Sequence, residues 1–245
     1  MCGRFVQIDA TITRLAAIKD FKVETDTHSP NRRRLEGYNI APQSTVVVIR
    51  KNADGKTALD TMFWGIEPPW ERNSSRFIIN ARSEGIAEKP AFKNLLGQKI
   101  VVPVDGFYEW TSGSHDAGQK RLKKTPFYFR RADGLPLLIA GIFKITADAE
   151  TGEIIERFVL ITCSANSMMR EYHDRMPAIL ETSQVKSWLV DDISSEQINH
   201  LSTPPANEVL IAHRVDAKVN SPRSEGPDLI REFAPSMSHN GQLFH

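Results

Sequence analysis

Four polar clusters interrupt apolar runs of this chain, and each holds side chains able to do chemistry. The first is Cys2-Gly3-Arg4 in the opening run MCGRF. A small residue at position 2 lets methionine aminopeptidase trim Met1. Cys2 would then carry a free α-amine beside its thiol, a 1,2-aminothiol that no side chain elsewhere can offer. The plain alternative is a fraying N-terminus with an ordinary second residue. The second cluster, INARSEG, places Asn80, Arg82 and Glu84 directly after an apolar stretch. The third, VVPVDGFYEWT, sets Asp105 and Glu109 in a strongly apolar, aromatic run. The fourth, EYHDRMPAIL, brings His173, Asp174 and Arg175 together ahead of a strand-like segment.

Glu109 lies between Tyr108 and Trp110. Held against aromatic neighbours, its carboxyl would have a raised pKa and serve as an acid or base near neutrality. Strand alternation can equally turn it to solvent, and the two readings stand level. His173 reads either as a structural histidine or as a pH-tuned imidazole. Asn80 suits a turn, and Arg82 an ordinary ion pair.

Elements able to position these groups are mostly strands. RFVQI, TVVVIRK, TMFWGI, KIVVPV, PFYFRR, PLLIAGIFKI, RFVLITC and EVLIAHRV are rich in Val, Ile, Phe and Tyr, and Gly, Pro, Asn or Asp bounds many of them. Helical spacing runs through DATITRLAAIKDF, with Asp9 as its cap, through TSQVKSWLVDD, opened by Thr182 and Ser183, and through SSEQINHLS. Strands outnumber helices without regular alternation. The expected fold is therefore a single α+β domain with a mixed, mostly antiparallel β-sheet core tending to a barrel and peripheral helices. The domain should span residues 1–225, with 226–245 a loosely ordered tail. TSGSHDAGQKRLKKTP reads as a long basic surface loop.

At 245 residues the chain can bury a real core unaided. The formal net charge is +1, so only local clustering can attract a polyanion. Two cysteines are too few for a disulfide scaffold or a cysteine-based zinc site. No secretory signal and no apolar run of membrane-spanning length is evident. The expectation is a reduced, cytoplasmic protein, nucleoid-associated if bacterial, without membrane, metal or cofactor. Cys163 reads as a small buried hydrophobe.

In order, MCGRF, WG…P.W, NARSE, VPVDGFYEW and HDRMP resemble the SRAP family, the abasic-site processing or SOS-response-associated peptidases. The likeness runs from Cys2 to Val219-Asn220. It departs at GQKIV, where an Arg-Cys pair is expected, and in a longer basic loop after Trp110. The resemblance implies covalent capture of abasic sites in single-stranded DNA. On this reading the amine of Cys2 forms a Schiff base with the ring-opened sugar aldehyde, and the thiol closes a thiazolidine. An α-amine suits the task, because its reference pKa of roughly 7.7–8.0 lies far below the lysine value. Glu109 is implied as the acid/base, Asn80 as the group orienting the opened sugar, and His173 as a proton donor or phosphate contact. Arg4, Arg82 and Arg175 are implied as DNA contacts, with Thr162 and Asn166 lining the same pocket.

Three arginines at 32–34 and six Lys/Arg between Lys120 and Arg131 offer a basic surface, and Trp70 a stacking face; Trp64 reads as core. The expected partners are single-stranded DNA with abasic sites and the replication machinery, and the expected state is a monomer. Removal of Met1 is either autocatalytic or done by the aminopeptidase. Three other readings compete: an N-terminal cysteine peptidase or amidase, a glutamine amidotransferase-like nucleophile, and a non-catalytic single-strand binding module.

Overall fold

The computed structural model describes residues 2–16, 18, 23, 37–70, 76–111, 124–147, 151–189 and 194–234. In chain order the strands are β1 (Phe5–Gln7), β2 (Gly37–Ile40), β3 (Thr45–Lys51), β4 (Thr57–Trp64), β5 (Asn80–Arg82), β6 (Lys99–Val104) and β7 (Gly106–Thr111). They continue with β8 (Thr125–Arg131), β9 (Leu137–Ala147), β10 (Ile154–Ser164), β11 (Arg175–Pro177), β12 (Ile179–Leu180) and β13 (Leu210–Arg214). The helices are α1 (Asp9–Ala16), α2 (Ser167–Arg170), α3 (Thr182–Trp188) and α4 (Ser195–Leu201).

Five strands close on themselves. β10, β4, β3, β6 and β9 are hydrogen-bonded in that order, and β9 pairs back onto β10. All of these contacts are antiparallel except β4–β10. β5 and β11 extend the barrel along β10, and β12 extends it along β9. A second, five-stranded sheet runs β13-β8-β7-β1-β2. The fold is thus the expected single α+β domain with a mostly antiparallel, barrel-forming core.

The two layers meet across an aromatic core. Trp64 packs on Phe5 at 4.8 Å between ring centroids and on Phe158 at 6.5 Å, and all three rings are fully buried. Gln7 clamps the layers together: its Nε2 donates to the carbonyls of Val47 and Pro103, and its Oε1 accepts from Val47 N. With both ends paired, a buried amide is tolerated between sheets. The other face of the five-stranded sheet carries a smaller cluster of Val6, Tyr108, Tyr128, Val215, Val219 and Leu229.

Alternation along β7 decides the orientation that matters. Tyr108 opposes Tyr128 and faces this outer cluster, so Glu109, one residue on and opposite Phe127, faces inward. Gly106 is needed where β7 begins. A Cβ there would lie 2.3 Å from Phe129 O and 2.5 Å from Tyr128 Cζ. Gly106→Ala is expected to destabilise the protein by about 1–3 kcal/mol through overpacking. Urea unfolding checks this, and unchanged stability would mean that β7 and β8 are not so closely apposed.

Two expectations need correction. Asp9 lies in the first turn of α1 rather than ahead of it, and the residue before the helix is tied down by others: Ile8 N donates to Thr11 Oγ1 and to Oδ2 of distant Asp105, which also accepts from Thr11 Oγ1. The chain beyond 226 is not loose up to residue 234: Leu229 is buried, and Phe233 N donates to Arg214 O. Burial of that one leucine explains why a polar composition misleads here. The basic loop over 112–123, the arginines at 32–34 and the tail over 235–245 fall outside the described residues.

Candidate active site

Cys2 precedes β1 and continues its path beside β7, where Arg4 O accepts from Tyr108 N at 2.9 Å. Its side chain is fully buried within the main core cluster. Asn80 opens β5, which runs parallel to β10, and its Nδ2 donates to Cys2 O at 2.8 Å. The other end of that amide, Asn80 Oδ1, is buried without a hydrogen-bond partner among the described residues. Glu109 is only 6% exposed, so of its two readings burial is the one realised. Burial pushes the Cys2 thiol up to about 12, and the nearby Glu109 charge adds to that shift. Three groups far apart in sequence therefore meet: a cysteine, an amide with a vacant acceptor, and a carboxyl group.

His173 follows α2, whose first turn is capped by Asn166 Oδ1 accepting from Met169 N at 2.8 Å. Its Nδ1 lies 3.0 Å from Arg175 N and 2.7 Å from Asp174 Oδ1. One nitrogen cannot serve both at once: deprotonated it accepts the Arg175 amide, and protonated it donates to Asp174. The preceding Tyr172 packs edge-on against Phe127 and Phe129 at 4.8 and 4.9 Å. Phe127 is the cross-strand neighbour of Glu109, so this packing ties the His173 loop to the strand pair that bears the carboxyl. Among the described residues Cys2 has no histidine partner.

Arg175 is buried and grips Glu84 with both arms of its guanidinium, at 2.7 and 2.8 Å, while also donating to Thr162 O at 2.7 Å. This fork and the Ser164 hydroxyl hold the Glu84 carboxyl down at about 2. Because that value lies below the ordinary 4.5, the stabilisation is complete above 4.5 and is lost as pH falls toward about 2. Glu84→Gln is expected to flatten the acid limb of stability in that window, measured by urea unfolding across it. A mutant with the wild-type slope would show that the pair does not titrate this way. Glu84 was visible in the NARSE motif, but its clamp on Arg175 was not.

The other sequence-derived positions divide. Arg82 is exposed and lies two residues from Asn80 on the same face of β5, beside the Cys2 site. Trp70 is 71% exposed. Arg4 projects to the outer face, where its Nη1 donates to Asn39 Oδ1 at 2.7 Å and Val219 O at 3.2 Å, above the Trp110 ring. Burial there lowers its pKa. Thr162 is fully buried, and Asn166 Nδ2 donates to Pro205 O. Thr162, Asn166 and Arg175 thus have structural employment as they stand. Cys163 and Trp64 are core residues, as expected.

Sequence reading passed over Asn39, which is buried and donates to the carbonyls of Ser221 and Ser224 while accepting from Arg4. Its only signal was a polar residue inside the short run GYNI. Among the described residues no helix is long and apolar enough to cross a membrane, and no cluster of three His, Cys, Asp or Glu side chains could hold a metal ion.

Fold and site together define a single-domain α+β protein built around a buried cysteine at position 2. Residues 1–222 match the family model described as SOS response associated peptidase (SRAP), and the chain belongs to that family. Abasic site processing protein YoaM of Bacillus subtilis is 30% identical over 239 residues, covering 94% of this chain and 97% of the relative. Abasic site processing protein YedK of Escherichia coli is also 30% identical, over 236 residues, covering 94% and 99%. Abasic site processing protein HMCES of Xenopus tropicalis is 29% identical over 240 residues, covering 84% of this chain and 67% of the relative. The fold is shared with a solved protein of Bacteroides thetaiotaomicron at a TM-score of 0.77 and 24% identity, covering 95% of this chain and all of the other.

Proposed function

We propose that this protein captures abasic sites in single-stranded DNA by a covalent bond to Cys2, after Met1 has been removed. The observation that carries the reading is the convergence of Glu109 and Asn80 on the buried Cys2 backbone and thiol. Three relatives named as abasic site processing proteins support it.

Loss of Met1 frees the α-amine of Cys2. The amine attacks C1′ of the ring-opened deoxyribose, and the carbinolamine loses water to form an imine. The thiol then adds to the imine carbon, its proton passes to the nitrogen, and a five-membered thiazolidine closes. Ring closure is intramolecular, so high effective concentration favours it. Burial holds the Cys2 thiol up at about 12 while Met1 is in place, so the thiol needs a base. Glu109, the neighbouring acid/base group, relays that proton from sulfur to the nitrogen. Asn80 Oδ1, lacking a donor, is free to accept from the released amine or a sugar hydroxyl. Arg82 at the same edge and the exposed Trp70 suit a DNA backbone and a base.

The hydrolase reading fares worse, because a Cys–His pair needs the two side chains in contact. Cys2 lacks such a partner among the described residues, and the Cys163 thiol is buried and raised to about 12.

The test uses the full chain with three oligonucleotides: single-stranded abasic, single-stranded undamaged, and duplex abasic. A slow band on a denaturing gel is expected with the first and not with the second. Equal bands for damaged and undamaged strands would leave only a binding module. Capture of the duplex alone would contradict the single-strand assignment.

A further inference from the structure

A cavity of about 360 Å³, with both polar and apolar walls, opens on the outer face of the five-stranded sheet. That volume falls within the range of small-molecule sites, roughly 300–1,000 Å³. Tyr128 and Arg130 of β8 line it, with His213 of β13 and residues of α1 and the β8–β9 turn. Tyr128 and Arg130 sit two apart and share a face, while Phe127 and Phe129 between and beside them point to the Glu109 side. The sheet itself therefore separates this cavity from Cys2.

Most charges on its walls cancel. Asp105 pairs with Arg14 and accepts from Ile8 N, and Arg14 Nη1 donates to Gly134 O. Arg131 spends Nε and Nη2 on Asp133 at 3.0 and 2.7 Å. Arg130 is different: its one hydrogen bond is to Arg131 O, and no acid neutralises it among the described residues. Beside it the Tyr128 ring is only 2% exposed, yet its hydroxyl has no hydrogen-bond partner among the described residues. His213 Nε2 donates to Ile230 O at 2.8 Å, leaving Nδ1 uncommitted, and its ring meets Tyr128 edge-on at 5.7 Å. The half-buried Arg130 guanidinium and the Tyr128 hydroxyl thus stand on one concave wall as donors available to an acceptor in the cavity. Ile8, Leu135 and Ile230 supply apolar walls next to them.

We propose that this cavity binds the oxyanion, phosphate or carboxylate, of a small molecule with a compact apolar body, gripped by Arg130 and the Tyr128 hydroxyl. One unneutralised cation sets the preferred ligand charge near minus one.

Phenyl phosphate and benzoate share such a body and differ in the oxyanion, so each is titrated into the isotope-labelled full chain at constant ionic strength, up to about 10 mM. Saturable amide shifts centred on Tyr128, Arg130 and His213 are expected, and the tighter probe names the oxyanion. Tyr128→Phe removes only the hydroxyl and Arg130→Gln only the charge, so both variants should fold. Each should weaken binding about tenfold, while cross-linking at Cys2 is unchanged. The proposal falls if neither probe saturates, or if a folded variant binds as tightly as wild type.

Discussion

Cys2→Ser protein is expected to give no adduct with an abasic strand that survives a denaturing gel, yet to give one when borohydride is present. Serine at position 2 still permits removal of Met1 and still offers the α-amine, so by the proposed mechanism the imine should still form. Oxygen replaces the thiol, the stable sulfur ring is lost, and the imine hydrolyses unless it is reduced. Cys2→Ala should behave the same way, which separates sulfur from any hydrogen bond its replacement makes. The comparison matters because Cys2 is completely buried and its thiol is raised to about 12. A buried cysteine of that kind is ordinarily inert. Full loss of the stable adduct in both variants would assign the ring to this sulfur; wild-type amounts in either would move the chemistry elsewhere.

Glu109→Gln should slow cross-linking by about 10²–10⁴-fold, the usual contribution of a positioned acid or base. Glutamine keeps the shape of the side chain, so the fold should hold. The same change has an opposite effect on the thiol. The Glu109 charge adds to burial in raising Cys2, so removing that charge should lower the Cys2 thiol pKa below about 12. Iodoacetamide alkylation across pH reads this directly. A more acidic thiol that nevertheless cross-links more slowly is the signature of a lost proton carrier. Faster cross-linking in the variant would show that Glu109 only restrains the thiol.

Local pattern made much of this architecture legible. TVVVIRK forms β3 over the residues that its Val and Ile content indicates, and KIVVPV forms β6 with every residue buried. Closure of the barrel was only a tendency in the sequence, because it depends on β9 pairing with β10 and on β4 lying parallel to β10 across a long separation. Helix starts were less secure: Asp9 has the right type for a cap, but the helix already includes it, and Asp105, distant in sequence, anchors Ile8 and Thr11 at that end. At the site, residue types pointed to Cys2, Asn80 and Glu109, and the family motifs gave them roles. What pattern could not give was which face of β7 Glu109 occupies, since that depends on Tyr108 finding Tyr128 across the sheet. Nor could PFYFRR announce a cavity: Tyr128 and Arg130 look like ordinary alternation until β13 and α1 close around them. Arg175 shows the converse, a residue whose motif suggests DNA and whose side chain is already held by Glu84 and Thr162.

The proposed joining of a free N-terminal aminothiol to a sugar aldehyde fixes the mass of the cross-linked species. Wild-type protein is incubated with a single-stranded abasic oligonucleotide, digested, and the DNA-bearing peptide is fragmented. The expected product begins at Cys2, lacks Met1, and weighs the sum of its two parts less one water. An adduct on a lysine, or on a peptide that still carries Met1, would contradict it.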